Sequence, residues 1–203
     1  MSSSAPTATV ALGEALGALD VDLMDAPVSG GVPKARDGSL TIMAGGPPEV
    51  VEAALPVLSA MGTVHRTGAL GSGHAIKALN NYVSAAGLLA VSEALVVAAR
   101  FGLDPRVAND VFKASTGRNN TTDRKVEQYM LNRAFNSGFA LDLMVKDVGT
   151  ARELARELAL EAPWLEACRD LLGEAAQALG PGADHTAAFA FLEERLTGAG
   201  SGK

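Results

Sequence analysis

The first part of the chain alternates between short apolar runs and segments with helical spacing. Apolar runs that end in glycine are typical of buried strands. In chain order, the pattern predicts a helix over 6–19, a strand over 21–28, a helical turn over 33–36, a strand over 39–44, a helix from 47 to about 61 and a strand over 62–67. Strands that alternate with helices indicate a sheet with helical cover.

From Ser72 onward the strand pattern disappears. The segment 72–100 is apolar on nearly all sides but broken by polar residues, which predicts a buried core helix rather than a membrane span. Asp104-Pro105 is an N-cap followed by proline at the first helical position. Further helices are predicted at about 120–132, 141–160, 163–179 and 185–196. The predicted domains are therefore 1–69, containing the sheet, and 70–203, which is helical.

The predicted sheet is thin. Three strands leave at least one edge exposed, and exposed edges are normally covered or paired. Two explanations stay open: a partner chain covers the edge, or strands that would precede Met1 are missing from this chain.

Composition narrows the classes of function. A net charge of -6 and a pI near 5.1 argue against nucleic-acid binding, which requires a basic face. The single cysteine, Cys168, lies in a helical pattern and is expected to be a buried structural thiol. The three histidines show no metal-ligand spacing, so no metal site is expected. The N-terminus lacks the features of a signal peptide, and a cytoplasmic protein without membrane partners is expected.

Four polar residues form a stripe along the predicted helix 72–100. His74, Lys77, Asn81 and Ser84 are separated by three, four and three residues, so they share one face, and Asn80 borders it. A lysine there is costly to bury unless it faces a cleft or a partner. Partial desolvation also lowers a lysine pKa towards the range that a general acid or base needs. The alternative is that Lys77 extends to solvent at the helix start.

The segment Asp25-Ala26-Pro27-Val28-Ser29-Gly30-Gly31-Val32-Pro33 ends a predicted strand with a hydroxyl and two glycines. Glycines let the backbone approach a ligand closely, and N–H groups at a helix start point towards it. This arrangement is suited to a small carboxylate, with Ser29 adding a hydrogen bond. An ordinary strand-to-helix turn would use the same residues.

These segments resemble the 3-hydroxyisobutyrate dehydrogenase (β-hydroxyacid dehydrogenase) family. Asp25 to Gly31 and Gly38 to Gly46 resemble its substrate-binding segment, and Gly71-Ser72-Gly73-His74-Ala75-Ile76-Lys77-Ala78-Leu79-Asn80-Asn81 its catalytic segment. Phe139 to Asp147 resembles a third recurrent segment, and Ser2 to Pro6 a Ser-Thr-x-x-Pro element with Ser3 in place of threonine. The resemblance implies a partial Rossmann-like α/β sheet followed by an all-α, 6-phosphogluconate-dehydrogenase-like helical domain.

The resemblance also implies roles for individual residues. Lys77 would be the general acid/base. Ser29, Gly30 and Gly31 would hold the substrate carboxylate, and Asn80 and Asn81 would bind the same substrate. Ser3 and Lys146 would lie beside NAD or NADP. For Lys146, a surface pair with Asp142 at i,i+4 is the alternative.

The dinucleotide fingerprint Gly-x-Gly-x-x-Gly does not occur in the sequence. Gly71-Ser72-Gly73 has Ile76 at the third glycine position and opens the catalytic segment instead. This chain alone is therefore expected to bind NAD(P) weakly or not at all.

Two functions follow from the sequence. The first is NAD(P)-dependent oxidation of a small 3-hydroxy acid, or the reverse reduction, by a chain that is a truncated or incomplete form. The second is a cofactor-free helical dimerisation or carboxylate-binding module derived from the same family. In either case a homodimer or larger oligomer is expected, because one chain offers too few helices to cover every face of the helix 72–100.

Overall fold

The computed structural model describes residues 1–198, which divide into two units. The first unit contains Met1–Asn80 and Thr150–Glu161, and the second contains Asn81–Gly149 and the chain from Ala162 onward. Two helices, 72–101 and 141–157, contribute residues to both units. The predicted division at 69/70 into two domains stays a prediction.

The first unit contains a small mixed sheet. Its elements are α1 (Pro6–Gly17), β1 (Val28–Ser29), α2 (Gly31–Arg36), β2 (Leu40–Gly45), α3 (Pro48–Ser59) and β3 (Gly62–Gly68). The middle strand β2 pairs in parallel with β3 and antiparallel with β1. Ile42 on β2 is fully buried and packs with Ala26, Leu40 and Leu58. The predicted strand–helix–strand alternation is thus confirmed for β2, α3 and β3.

The predicted strand over 21–28 is mostly wrong. Only Val28–Ser29 forms a strand, and Asp25 makes an isolated bridge to Gly45. Pro27 lies between them and has no N–H to donate to a ladder, although its carbonyl accepts from Met43 N at 2.9 Å. The apolar run here reflects burial of an irregular segment and not a regular strand.

Helix α1 buries a different face from the one that its apolar residues suggest. Val10, Leu12 and Leu19 are exposed, whereas Pro6 and Thr9 are buried. The helix also ends at Gly17, two residues earlier than predicted. Burial follows the polar contact of Thr9 rather than the hydrophobic pattern.

The helices of the second unit are joined by loops, two of which meet in an isolated bridge between Ala140 and Asp184. It contains most of α4 (Ser72–Phe101), followed by α5 (Pro105–Ala114), α6 (Asn120–Arg124), a π-helix (Val126–Met130), the first half of α7 (Leu141–Glu157), α8 (Pro163–Leu179), a 3-10 turn (His185–Ala187) and α9 (Ala188–Thr197). Asp104 caps α5 by accepting from Arg106 N at 2.8 Å, as predicted. The predicted helix 120–132 is instead broken at Lys125 (φ -119), where α6 ends and the wider π-helix begins.

Helix α4 is buried on one side only. It is long and apolar enough to cross a membrane, and 44% of its most apolar window is buried. Val83, Val97 and Phe101 are 67%, 65% and 82% exposed. The prediction of a buried core helix therefore holds for one face.

A buried histidine connects the loop before α7 to the 3-10 turn before α9. His185 Nδ1 lies 3.0 Å from the Phe139 carbonyl, to which it donates, and 3.1 Å from Ser137 Oγ. Burial, reinforced by the charge of Lys125, lowers the pKa of His185 from 6.5 to about 4. The folded protein therefore keeps this ring neutral well below the pH at which an unfolded chain would protonate it.

The first prediction compares two glycines of α4. A Cβ on Gly73 would lie 2.3 Å from Met43 O and 2.7 Å from Asp25 Oδ2, whereas one on Gly87 would meet nothing nearer than 3.5 Å. Gly73→Ala should lower the free energy of unfolding by more than about 2 kcal/mol through overpacking. Gly87→Ala, the control, should change it by less than about 1 kcal/mol, in the stabilising direction. Chemical denaturation measures both, and equal effects would contradict the packing at Gly73.

The second prediction concerns acid stability. Below pH 6.5 the imidazole of His185 is protonated in the unfolded chain. In the folded protein it stays neutral down to about pH 4, because its pKa is lowered. The free energy of unfolding should therefore fall by up to about 3 kcal/mol as the pH drops through this window. His185→Gln should flatten that slope, while His65→Gln, at an exposed histidine, should leave it unchanged. Denaturation curves at a series of pH values test this, and the same slope in wild type and His185→Gln would refute it.

Candidate active site

A buried carboxylate joins the segment 25–31 to the start of α4. Asp25 is 3% exposed, and its Oδ1 and Oδ2 accept from Gly71 N at 2.7 Å and His74 N at 2.6 Å. N–H groups at a helix start have no partners within the helix, and the helix dipole favours a negative charge there. Asp25 thus fixes the segment that carries Ser29 to the helix that carries Lys77.

The imidazole of His74 attaches the N-terminal segment to the same point. His74 is 7% exposed, and its Nε2 donates to Ser2 O at 2.9 Å. Its Nδ1 lies 2.8 Å from Thr9 Oγ1 and 3.6 Å from Asp25 Oδ2. The backbone next to Ser3 and the buried side of α1 are therefore both held by one ring.

The first unit holds Ser3, Ser29, Gly30, Gly31, Lys77 and Asn80, all of which were predicted to be site residues. Ser29 is the last residue of β1 and is half-buried, while Gly30 and Gly31 adopt φ values of 130 and 65, which favour glycine. Lys77 is half-buried in the second turn of α4, and Asn80 is exposed. The Asp25 contacts bring the glycine segment and the start of α4 together, and the individual roles stay predictions.

The second unit holds the remaining predicted residues, Asn81 and Lys146. Asn81 is buried, and its Nδ2 donates to Asp147 Oδ2 at 2.6 Å, which joins α4 to α7. Lys146 is exposed beside Asp147. Asp142, the alternative partner considered for Lys146, accepts from Gly182 N at 3.1 Å.

Sequence reasoning missed the positioning groups. Asp25, His74 and Asp147 lie inside the motifs, yet nothing in the spacing showed that their partners would be backbone N–H groups, a distant carbonyl and Asn81. One signal was present: Gly71, the residue before α4, has no side chain to cap the helix, so its first N–H groups require partners from elsewhere.

The start of α4 does not provide a phosphate cradle. Gly71 N and His74 N, which would face a pyrophosphate, already donate to Asp25. This agrees with the interpretation that Gly71-Ser72-Gly73 is not the dinucleotide fingerprint. The start of α4 therefore does not fit the pyrophosphate part of NAD(P).

Cys168, possible metal ligands and the apolar cleft at the sheet do not extend the predicted site. Burial raises the pKa of the Cys168 thiol to about 11, as suits a structural side chain. Within residues 1–198 no group of three His, Cys, Asp or Glu side chains could hold a metal ion. An apolar cleft of about 540 Å³ lies at the ends of β2 and β3, lined by residues that include Ala44, Pro47 and Leu70, and none of the predicted site residues lines it.

Comparisons with known proteins agree with this arrangement. Residues 71–192, more than half of the chain, match the family model described as NAD-binding of NADP-dependent 3-hydroxyisobutyrate dehydrogenase. Residues 1–71 match the NAD binding domain of 6-phosphogluconate dehydrogenase. Together the matches confirm the predicted fold class and agree with the predicted NAD or NADP cofactor.

Individual relatives are longer than this chain. It is 34% identical over 199 residues to 2-(hydroxymethyl)glutarate dehydrogenase of Eubacterium barkeri, covering 98% of the chain and 66% of that protein. It is also 34% identical to 2-hydroxy-3-oxopropionate reductase of Escherichia coli K12, covering 95% and 66%. The chain thus spans slightly less than two thirds of these curated relatives.

A solved structure shows the same fold. The 3-hydroxyisobutyrate dehydrogenase of Mycobacterium tuberculosis with L-serine has a TM-score of 0.86 and 30% identity, covering 94% of this chain and 67% of that one. On the family match and the site geometry, this chain belongs to the 3-hydroxyisobutyrate dehydrogenase family.

Proposed function

We propose that the chain forms the acid/base and substrate-binding part of an NAD(P)-dependent 3-hydroxyacid dehydrogenase. The reaction is oxidation of a small 3-hydroxy acid to an oxo acid or semialdehyde, or the reverse reduction. The observation that carries the proposal is the Asp25 carboxylate, which accepts from Gly71 N and His74 N and so joins the Ser29-Gly30-Gly31 segment to the helix of Lys77. The related proteins named above act on hydroxy acids or their oxo forms by name.

Lys77 transfers the proton in this proposal. During oxidation its neutral amine would take the proton of the substrate hydroxyl. NAD(P), beside Ser3 and Lys146, would supply the acceptor for the hydride from the carbon that bears this hydroxyl. Ser29, Gly30 and Gly31 hold the carboxylate, and Asn80 and Asn81 orient the substrate. Asp147 positions the amide of Asn81 by accepting its hydrogen bond.

Ser3 and Lys146 are proposed to lie on the cofactor side. Ser3 follows Ser2, whose carbonyl accepts from His74, so its backbone has a defined place at the start of α4. The absence of Gly-x-Gly-x-x-Gly from the 203 residues supports the expectation that this chain alone binds NAD(P) weakly. A cytoplasmic location likewise stays a prediction.

The alternative is a cofactor-free dimerisation or carboxylate-binding module. It is favoured by the missing fingerprint and by the exposed apolar face of α4. It predicts that carboxylates bind while no hydride transfer occurs in the full-length gene product, which the kinetic experiment below distinguishes.

We further propose a homo-oligomer whose contact is formed by α4. Ile76, Val83, Ala90 and Val97 are spaced seven residues apart, and all four are exposed. Residues seven positions apart lie on one side of a helix, so these four form an exposed apolar stripe equivalent to one of the two seam positions of paired helices. A second copy of the chain, presenting the same stripe, would cover it symmetrically.

The third prediction tests Lys77 by steady-state kinetics in the full-length gene product. Lys77→Ala should lower kcat by about 10²–10⁴-fold because the acid/base is lost. Lys77→Arg should be almost as poor, since a guanidinium keeps its proton near neutral pH. Asn81→Ala should have a smaller effect, and the surface change Lys113→Ala should have none.

Melting curves accompany each variant. Because Lys77 is half-buried near the helix start, its loss should leave the melting temperature close to that of the wild type. Near-normal turnover of Lys77→Ala, or its unfolding, would show that Lys77 is structural.

The fourth prediction tests the oligomer by light scattering at micromolar concentration. The wild type should be a dimer or larger, with an interface above about 1,000 Å². Val83→Glu combined with Val97→Glu should reduce it to a monomer, because two charges would be buried in the seam. Val57→Glu, at an equally exposed valine on α3, is the control and should not change the mass. A monomeric wild type would rule out the proposal.

A further inference from the structure

Lys125 is a buried cation without a carboxylate partner among the described residues. It is 8% exposed, and its Nζ makes one hydrogen bond, 3.5 Å long, to Ser84 Oγ on α4. Burial lowers the pKa of Lys125 to about 8, and the charge of Asp184 opposes this only in part. The ammonium therefore lies where its charge is expensive to keep.

Asp184 does not neutralise Lys125 by direct contact. Its two carboxylate oxygens accept from Ser137 Oγ, Gly138 N, Thr186 N and Thr186 Oγ1 at 2.5 to 2.9 Å. The Asp184 carboxylate thus caps the 3-10 turn 185–187. His185, which also lies nearby, has an imidazole side chain and therefore adds no negative charge.

The backbone supports an inward position for Lys125. Lys125 stands at the junction of α6 and the π-helix, where its carbonyl accepts from both Tyr129 N and Met130 N. Single turns of π-helix are uncommon and frequently occur at functional sites. A structural position here would be filled at lower cost by an apolar side chain such as methionine.

Ser84 places this ammonium relative to the proposed site. It follows Asn81 by three residues on the same face of α4, about 4.5 Å along the helix axis. A substrate held at Asn81 could therefore extend along α4 towards Ser84 and Lys125.

We propose that Lys125 and Ser84 form an anion subsite that binds a second, distal carboxylate of the substrate. The preferred substrates are then dicarboxylic 3-hydroxy acids. The inference rests on the proposed function, because it takes the reacting end of the substrate to lie at Lys77 and Asn81.

The test compares two substrates that differ only in the distal group, in the full-length gene product. 2-(Hydroxymethyl)glutarate carries the second carboxylate, and 2-(hydroxymethyl)pentanoate carries a methyl group instead. The wild type should prefer the dicarboxylate. Lys125→Met should lower kcat/KM for it by about 10- to 100-fold, mainly through KM, and change the monocarboxylate by less than about 2-fold.

Two further variants sharpen the comparison. Ser84→Ala should lower the preference for the dicarboxylate by about 2- to 10-fold, because one neutral hydrogen bond is lost. Lys113→Met removes the same charge from a lysine that pairs with Asp110 and Glu127 on the surface, and it should leave the preference unchanged. Lys125→Met should melt no lower than the wild type, since an unpaired buried charge is removed. A lower melting temperature with equal loss for both substrates would overturn the proposal.

Calorimetric titration separates this inference from the dehydrogenase function. Glutarate should bind more tightly than pentanoate, and Lys125→Met should abolish the difference. If neither hydroxy acid is turned over but glutarate binding depends on Lys125, the dehydrogenase proposal fails and the subsite stands. If turnover occurs without a Lys125-dependent preference, or if inorganic phosphate binds at Lys125 while glutarate does not, the carboxylate subsite is refuted.

Discussion

The pairing of Asp25 with the start of α4 is the constraint on which the first unit depends. A carboxylate that is 3% exposed is stable only if both oxygens are satisfied, and here two backbone N–H groups satisfy them. The contact also requires glycine at position 73, because the Cβ of any other residue would clash with Met43 O. The segment 25–31, the start of α4 and the N-terminal segment therefore meet around one buried charge.

This constraint explains what the sequence could and could not predict. Periodicity and caps predicted α8 over the residues that it occupies, 163–179, whereas the predicted helix 141–160 ends at Glu157 and the predicted helix 185–196 begins as a 3-10 turn. The strand over 21–28 was wrong because an apolar run reports burial, and here burial serves an irregular segment with Pro27 in it. The buried face of α1 was also unpredictable, since Thr9 is buried through its contact with His74 and not through hydrophobicity.

For the candidate site, too, the sequence predicted the residues within local motifs but not those that depend on distant contacts. Lys77, Asn81 and Ser29 could be selected because catalytic residue types stood at helical or turn spacing within a resembling motif. Asp147 and His74 could not be assigned roles, because their hydrogen-bond partners are far away in sequence. A single sequence does not show which distant residues come into contact. The break at Lys125 was invisible for a related reason: local propensity favoured one helix across 120–132, and the π-helix arises from packing.

The two buried charged groups, Asp25 and Lys125, differ in how well their own chain satisfies them. Asp25 is fully satisfied by its own chain, which makes it a positioning group whose value lies in rigidity. Lys125 has one long hydrogen bond to Ser84, and the nearby Asp184 is occupied by four other donor contacts. A folded chain gains nothing from a cation held in this way, since an apolar residue would fill the space at lower cost. In the proposed subsite, a distal carboxylate of the substrate would supply the counter-charge to Lys125 beside Ser84 on α4.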